Sequence, residues 1–317
     1  MDVSDTALDE AAATAVRQCL AVAPGEAFVV VTDDKRRPIG ERLYEAGREV
    51  TDDVVLLRYP PGPQHGAEPP GAVAAAMRDA DVFVAPTTKS LSHTRARSAA
   101  CENGARGATM PGITEEVMIA GLDADYEAIA RHCRDVFEQV SGATEIRVTT
   151  EAGTDITFEP GDREWRSDTG LVHDAGAFSN LPAGEVFVSP ETASGTYVVD
   201  GTMMPHGLLD HELRFAVEDG SVTDISDDAV REQVEAGAES VGKDAYNLAE
   251  LGIGTNVGVS ELVGSVLLDE KAAGTVHIAI GDDASIGGDT EAPLHLDGIV
   301  REPTVYADGE EVELPRA

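Results

Sequence analysis

Two histidines and three carboxylates in the second half of the chain lie in segments that are otherwise apolar or rich in glycine. His277 interrupts the apolar run GTVHIAIG, and His295 and Asp297 form an HxD pair within PLHLDG. Glu185 follows the turn-forming sequence NLPAG, and Glu250 precedes LGIGTN, whose glycines predict a turn. Neutral imidazole and carboxylate groups are ligands of divalent zinc, cobalt, manganese and iron. The residue types therefore direct the search for a metal site to this half of the chain.

Strand geometry groups three of these residues. Side chains two positions apart lie on the same face of a strand, so His295 and Asp297 point the same way. His277 shares its face with the small residues Thr275 and Ala279, which leaves room beside the imidazole. A ligand between two such strands would contact both imidazoles and one carboxylate. Each residue alone also has an ordinary interpretation, as a hydrogen-bonded core histidine or as an acid at the edge of a loop.

The elements that must position these residues change character near residue 143. Residues 1–142 alternate short apolar runs with helical periods, which predicts a parallel sheet covered by helices. Residues 143–317 contain many short strands, a hairpin signal at Gly153 and one helix over residues 227–243. The predicted fold is an N-terminal parallel-sheet α/β domain followed by a strand-rich, largely antiparallel α+β domain. The second domain carries the candidate metal-binding and catalytic residues.

The charge of the chain is extreme and has one sign. The 317 residues include 59 acidic and 23 basic residues, which gives a formal net charge of −36, and 42% of the residues are hydrophobic. This apolar fraction is too high for a disordered acidic chain. An acidic surface also excludes the phosphate contacts of a nucleic-acid-binding protein. Only four of the bases are lysine, and this composition is typical of a halophilic protein from a salt-loaded cytoplasm.

We expect the protein to lose structure below roughly molar salt, because self-repulsion of the acidic surface is less screened there. Circular dichroism along a potassium chloride dilution series measures this loss. A spectrum that is unchanged at about 50 mM salt, where the Debye length exceeds 10 Å, would contradict the expectation.

The remaining composition predicts a reduced, intracellular setting. Cys19, Cys101 and Cys133 form no CxxC pair, so neither a disulfide framework nor a thiolate zinc site is expected. The first residues, MDVSD, lack the basic and apolar regions of a signal peptide. The apolar runs are of strand length, well short of the roughly 18 residues of a membrane span. We expect a cytoplasmic protein with no membrane partner and no nucleic-acid partner.

The order of five short segments resembles that of the thermophilic-type metallo-aminopeptidases, the aminopeptidase T and S group, which includes leucyl-aminopeptidase-like enzymes. These segments cover residues 180–300 and read NLPAGEVFVSP, SGTYVVDG, AELGIGTN, an EK-x-x-GT-x-H strand followed by GG, and HLD. A weaker likeness extends over residues 92–112, SHTRARSAACENGARGATMPG. The set is fairly specific as a whole, although each motif alone is common.

This resemblance implies a metal-dependent aminopeptidase, a hydrolase that removes N-terminal amino acids from peptides at a dinuclear centre. Carried over motif by motif, the ligands of its two divalent ions (zinc, cobalt or manganese) are Glu185, Glu250, His277, His295 and Asp297. The resemblance makes Glu250 the catalytic, bridging ligand beside a shared hydroxide that attacks the scissile carbonyl. It also implies a homodimer that acts on peptide substrates.

Departures from that family keep other functions open. The family has a tyrosine shortly after the histidine-bearing strand, but residues 281–289, GDDASIGGD, contain none, and this chain is shorter. Ring-cleaving dihydroxypyridine dioxygenases look similar over the same region and hold one ferrous ion by two histidines and one aspartate. His277, His295 and Asp297 are candidates for such a triad. Those enzymes carry a histidine near the AELGIG position, so Glu250 favours hydrolysis. Another metal-dependent hydrolase and a non-enzymatic acidic interaction module are the remaining alternatives.

Overall fold

The structure is a computed structural model that describes residues 3–317. Contacts divide the chain into two compact units. Unit 1 holds the residues up to Ala130 together with Thr169–Ala183, and unit 2 holds Arg131–Asp168 and Gly184–Ala317. The predicted fold class is confirmed, because unit 1 is built on a parallel sheet and unit 2 on antiparallel sheets. The division of the chain into domains at residues 142 and 143 stays a prediction.

The helix predicted over residues 227–243 is present as Asp228–Val241, which is α7 in the numbering that follows. The α-helices are α1 (Val3–Thr14), α2 (Arg37–Arg48), α3 (Gly71–Asp79), α4 (Arg95–Glu102), α5 (Glu115–Leu122), α6 (Tyr126–Val140), α7 (Asp228–Val241) and α8 (Val266–Asp269). The strands are β1 (Phe28–Asp33), β2 (Val54–Tyr59), β3 (Val82–Thr87), β4 (Arg106–Pro111), β5 (Ile146–Thr149), β6 (Asp155–Glu159), β7 (Arg166–Asp168), β8 (Phe178–Asn180), β9 (Glu185–Val188), β10 (Thr192–Val199), β11 (Thr202–Met203), β12 (Gly207–Leu208), β13 (Leu213–Glu218), β14 (Ser221–Ile225), β15 (Leu248–Gly254), β16 (Val276–Gly281), β17 (His295–Val300), β18 (Thr304–Ala307) and β19 (Glu310–Glu311).

Unit 1 is organised around a five-stranded parallel sheet with the strand order β2-β1-β3-β4-β8. Strands β1 and β3 are buried along their whole length, which explains why their sequences are continuous apolar runs rather than alternating ones. Thr94 and Thr114 begin α4 and α5, where each side chain accepts a hydrogen bond from a backbone N–H of the first turn. These caps fix where the two helices leave the loops that follow the sheet.

Unit 2 contains two seven-stranded sheets. One has the order β14-β13-β10-β6-β5-β18-β19, and the other, which we call the site sheet, has the order β12-β11-β17-β16-β15-β9-β7. The pairs within the site sheet are antiparallel. In its centre β15 and β16 are buried at every residue. A strand buried on both faces loses the usual alternation of polar and apolar residues, and its sequence then resembles a core helix or a turn.

The largest difference from the sequence-based expectation is at β15. The glycines of AELGIGTN predict a turn after Glu250, but Leu248–Gly254 is a fully buried central strand with Glu250 inside it. The glycines serve close packing instead, since a Cβ on Gly254 would lie 2.1 Å from the carbonyl oxygen of Ala272.

Among the described residues, none of the helices combines the length and the apolar character that crossing a membrane requires.

Candidate metal centre

Four adjacent strands of the site sheet bring the five candidate residues together. Strand β9 begins at Glu185, β15 carries Glu250, β16 carries His277, and β17 carries His295 and Asp297. Within the described part of the chain, two sets of three residues have ligand atoms within 4.8 Å of one another. One set is Glu185, Glu250 and His277, and the other is Glu250, His295 and Asp297. Glu250 therefore belongs to both sets.

The Glu250 carboxylate lies between the two imidazoles. Its Oε1 is 3.3 Å from His277 Nε2, and its Oε2 is 3.3 Å from His295 Nε2. Asp297 Oδ1 lies 3.3 Å from the same atom of His295, and Glu185 Oε2 lies 3.5 Å from His277 Nε2. These distances are longer than most N–H···O hydrogen bonds. They are close to the separation of about 3 Å between two donors that each lie about 2.1 Å from one cation.

A glycine opposite His277 makes room for the imidazole. Gly252 pairs with His277 across β15 and β16. A Cβ at Gly252 would lie 2.0 Å from His277 Nε2, in the space that the ring occupies. This requirement explains a glycine in the middle of a buried strand, where it otherwise costs stability. Gly252 is thus a site residue that the sequence analysis assigned only to a turn.

His295 is oriented by the loop that precedes its strand. The carbonyl oxygen of Asp282 is 2.7 Å from His295 Nδ1, and because a carbonyl only accepts, Nδ1 carries the proton. This contact leaves Nε2 as the atom that faces Glu250 and Asp297. The His295 side chain is 31% exposed, whereas that of His277 is 1% exposed. The cluster therefore contacts solvent on the His295 side.

A buried lysine completes the cluster, and the sequence analysis did not assign it a role. Lys271 Nζ is 2.5 Å from Glu185 Oε1 and 2.7 Å from Glu270 Oε1, and its side chain is 5% exposed. Burial raises the pKa of Glu185 to about 7 even though the charge of Lys271 opposes the shift. Burial lowers the pKa of Lys271, but the two carboxylates outweigh it and keep the ammonium charged. Glu270 and Lys271 are the EK pair of the EK-x-x-GT-x-H motif, which was the available sequence signal for these two residues.

The neighbouring carboxylates raise the pKa of both histidines when no metal is bound. Burial lowers the pKa of His277, but the hydrogen bond to Glu250 and the charge of Glu185 outweigh burial and raise it to about 9. At His295, burial also lowers the pKa, but the charge of Asp297 outweighs burial, so the pKa of His295 is raised. For Glu250, burial is outweighed by hydrogen bonds from both histidines, which hold its pKa below the ordinary value. A cation that binds here must therefore displace protons.

The donor set fits a divalent cation. Glu185 Oε2 and His277 Nδ1 are buried atoms without a hydrogen-bond partner, and such atoms are expensive to leave unpaired. A cation between the carboxylates and the imidazoles would give Glu185 Oε2 a partner. Two imidazoles with a carboxylate are the ligand type of non-haem ferrous oxygenases, whereas carboxylates and imidazoles together also accept zinc or manganese. The chemistry of the donors alone therefore does not select the metal.

We expect the metal-free protein to become less stable as the pH rises from about 6.5 to about 9. The pKa of His277 is about 9 in the folded protein and about 6.5 in an unfolded chain. Its contribution to stability is therefore fully present below pH 6.5 and is lost as the pH passes through about 9. The raised pKa of Glu185 acts in the same direction. Thermal unfolding with a chelator at constant high salt measures this trend. A midpoint that stays flat or rises across this range would contradict it.

Two solved structures share the fold over almost the whole chain. A 2,5-dihydroxypyridine dioxygenase from Pseudomonas putida KT2440 matches with a TM-score of 0.78 and 20% identity, over 98% of this chain and 95% of that one. Wild-type AmpT from Thermus thermophilus matches with a TM-score of 0.69 and 17% identity, over 98% of this chain and 100% of that one. At these identities the likeness establishes the fold. No protein with curated function matches the sequence.

The aminopeptidase prediction is wrong, and so are the hydrolase and protease activity and the two zinc, cobalt or manganese ions that it implied. Residues 9–314 match the family described as NicX, 2,5-dihydroxypyridine 5,6-dioxygenase. Four of the five segments that suggested an aminopeptidase contain strands of the site sheet, and the fold as a whole is common to a dioxygenase and to AmpT, so the order of these segments reports the fold rather than the reaction. Nor does Glu250 exclude a dioxygenase, since this match includes it. The chain belongs to the NicX family of 2,5-dihydroxypyridine 5,6-dioxygenases.

Proposed function

We propose that the protein is a ferrous-iron-dependent dioxygenase that opens a dihydroxylated pyridine ring. The observation that carries this proposal is the family match over residues 9–314, which includes every candidate ligand. A ring-cleaving dioxygenase adds both atoms of one dioxygen molecule to its substrate, and the electrons that reduce dioxygen come from the ring, so no external reductant is needed. The reaction is thus complete with the ring, dioxygen and one redox-active metal.

In this proposal, His277, His295 and Asp297 would hold one ferrous ion, and Glu250 is the carboxylate that lies between the two imidazoles. Support comes from the convergence of the two Nε2 atoms on Glu250 and from the donor type, which suits a non-haem iron oxygenase. Among the described residues, the ligand atoms of His277, His295 and Asp297 do not all lie within 4.8 Å of one another, whereas Glu250 is within that distance of atoms from both histidines. We therefore include Glu250 in the metal-binding set.

The side chains of the cluster divide the work around the ion. When bound, the ferrous ion supplies the electron transfer that lets dioxygen react with the ring. Burial of His277 and Glu250 keeps bulk water away from one side of the site. The partly exposed face at His295 is the side from which substrate reaches the site. Lys271 balances part of the negative charge that Glu185 and Glu270 bring to the buried side.

The test of this function is dioxygen uptake by the iron-loaded protein. The protein is purified at high salt, loaded anaerobically with one equivalent of ferrous ion and mixed with 2,5-dihydroxypyridine in air-saturated buffer. We expect one dioxygen molecule to be consumed per ring, together with loss of the aromatic absorbance. The zinc-loaded protein is the control and should consume none. Absence of uptake by folded, iron-loaded protein with this substrate and its dihydroxypyridine isomers would overturn the proposal.

The expected homodimer and the cytoplasmic location stay predictions. Sedimentation in high salt across micromolar concentrations measures the assembly state, and a single monomeric species over that range would remove the dimer.

A further inference from the structure

A buried aspartate in the loop between the two histidine-bearing strands is hydrogen-bonded to residues beside the strands of Glu185 and Glu250. Asp283 is 3% exposed and follows Asp282, whose carbonyl oxygen accepts from His295 Nδ1. It lies in GDDASIGGD, the segment in which the sequence analysis noted a missing tyrosine. The proposed function gives Asp283 no role, although its carboxylate is completely enclosed.

The Asp283 carboxylate accepts hydrogen bonds from three separate parts of the site sheet. Oδ2 accepts from Ser189 Oγ at 3.0 Å and from Asn247 Nδ2 at 2.9 Å, and Oδ1 accepts from the backbone N–H of Thr290 at 2.7 Å. Ser189 directly follows β9, and Asn247 directly precedes β15. One carboxylate thus joins the strand of Glu185, the strand of Glu250 and the loop that leads to β17.

The loop is built closely around this side chain. The backbone N–H groups of Asp283 and Ala284 donate to the carbonyl oxygen of Thr290, and the N–H of Gly288 donates to that of Asp283. A Cβ on Gly288 would lie 2.0 Å from Asp283 Cγ, so only glycine fits against the carboxylate. Asn247 Nδ2 also donates to the carbonyl oxygen of Gly281 at the end of β16. One hydrogen-bond network therefore connects the ends of β9, β15 and β16 with the loop that leads to β17.

We propose that Asp283 is the positioning residue of the metal centre: by fixing the loop after β16, it holds the Asp282 carbonyl against His295 Nδ1 and so keeps Nε2 aimed at the metal. Groups that orient a ligating histidine through its second nitrogen typically contribute about 10–100-fold to metal affinity. This inference rests on the metal site of the proposed function. It adds a residue that does not itself touch the metal or the substrate.

The substitution Asp283→Asn tests the proposal with a minimal change of shape. Both carboxylate oxygens accept from donors, so the amide nitrogen of the variant must face either Asn247 Nδ2 or the Thr290 N–H. Either orientation places two donors against each other. We expect the affinity for cobalt(II), used as a spectroscopic probe of the ferrous site, to fall about 10–100-fold, with a changed visible spectrum of the bound ion.

Two matched variants separate positioning from a general loss of stability. Asp289→Asn changes the same charge in the same loop, but this side chain is 90% exposed and pairs only with Arg163 among the described residues. Asp33→Asn alters a buried carboxylate in unit 1 that accepts from Thr88 and from the N–H groups of Lys35 and Arg36. Both should keep the cobalt affinity of the folded protein within about twofold. Asp33→Asn should still lower the thermal midpoint.

The outcomes are distinct for the positioning role and for the proposed function. If Asp283→Asn lowers only the thermal midpoint and leaves the cobalt affinity and spectrum unchanged, the positioning role is overturned while the metal site stands. If the wild-type protein binds neither cobalt nor ferrous ion, both are overturned. If Asp283→Asn does not fold, Ser189→Ala removes one of the three donors. This variant should then lower the cobalt affinity about threefold, and an unchanged affinity would overturn the proposal.

Discussion

Replacing His295 with alanine is expected to lower dioxygenase turnover at least about 10³-fold and to leave the purified protein with much less than one equivalent of iron. The Nε2 atom of His295 lies 3.3 Å from both Glu250 and Asp297, so its loss removes a donor from the open side of the site. A metal ion stabilises a reaction by several kcal/mol, and each 1.4 kcal/mol corresponds to about tenfold in rate. The stability of the fold should change little compared with turnover and iron content, because the His295 side chain is 31% exposed.

The matched control for this variant is His206→Ala. His206 is also a histidine of unit 2 paired with a carboxylate, its Nε2 lies 3.0 Å from Asp227 Oδ1, and its side chain is 30% exposed. It lies outside both sets of possible metal ligands. Iron content by elemental analysis and dioxygen uptake are measured for both variants at equal salt. Iron content and turnover of His295→Ala equal to those of His206→Ala would remove His295 from the metal site.

The convergence of the candidate residues could be predicted in part from the sequence because strand periodicity is a local property. The spacing of His295 and Asp297 places both on one face, and the structure has them 3.3 Å apart. The apolar run around His277 predicted a buried strand, and β16 is one. Which strands become neighbours is set by long-range pairing, which the periodicity does not contain. The role of these residues as ligands stays a prediction.

Local signals failed where one residue type has two physical uses. Glycine in AELGIGTN predicted a turn, because glycine allows backbone conformations that other residues avoid. In β15 the same glycines provide space instead, for the ring of His277 at Gly252 and for a neighbouring backbone at Gly254. The residue that needs the space at Gly252 is His277, which lies 25 positions later in the chain, on the neighbouring strand β16. No pattern within the segment distinguishes the two uses.

The reaction was harder to predict than the fold for a related reason. Four of the five quoted segments contain strands of the site sheet, and two solved structures share the fold at only 20% and 17% identity. The two glutamates favoured a dinuclear hydrolytic centre when counted as free carboxylates. In the structure Glu185 is paired with Lys271, so part of its charge is already balanced without a second metal ion. That pairing joins residues 86 positions apart and is not visible in the sequence.

Glu250 is the second residue for which we expect a large effect, and the change is Glu250→Gln. The two carboxylate oxygens of Glu250 each face an imidazole Nε2 at 3.3 Å. In the variant, the amide nitrogen must face one of these atoms and donate to the lone pair that the metal needs. The variant also removes one negative charge from a buried site. We expect the affinity for ferrous ion to fall at least about 10²-fold, because a member of the metal-binding set should matter no less than the residues that surround metal ligands.

Glu185→Gln is the matched variant whose iron affinity is compared with that of Glu250→Gln. Glu185 approaches only one histidine, His277 at 3.5 Å, and the amide oxygen of this variant can still accept from Lys271. Its loss of iron affinity should therefore be about tenfold smaller than that of Glu250→Gln. Iron titrations at equal salt and pH give both affinities and the stoichiometry, which should be one ion per chain in the wild type and in both variants. Equal affinities in the two variants would show that contact with both imidazoles is not what makes Glu250 important, and two ions per wild-type chain would contradict the single ferrous site.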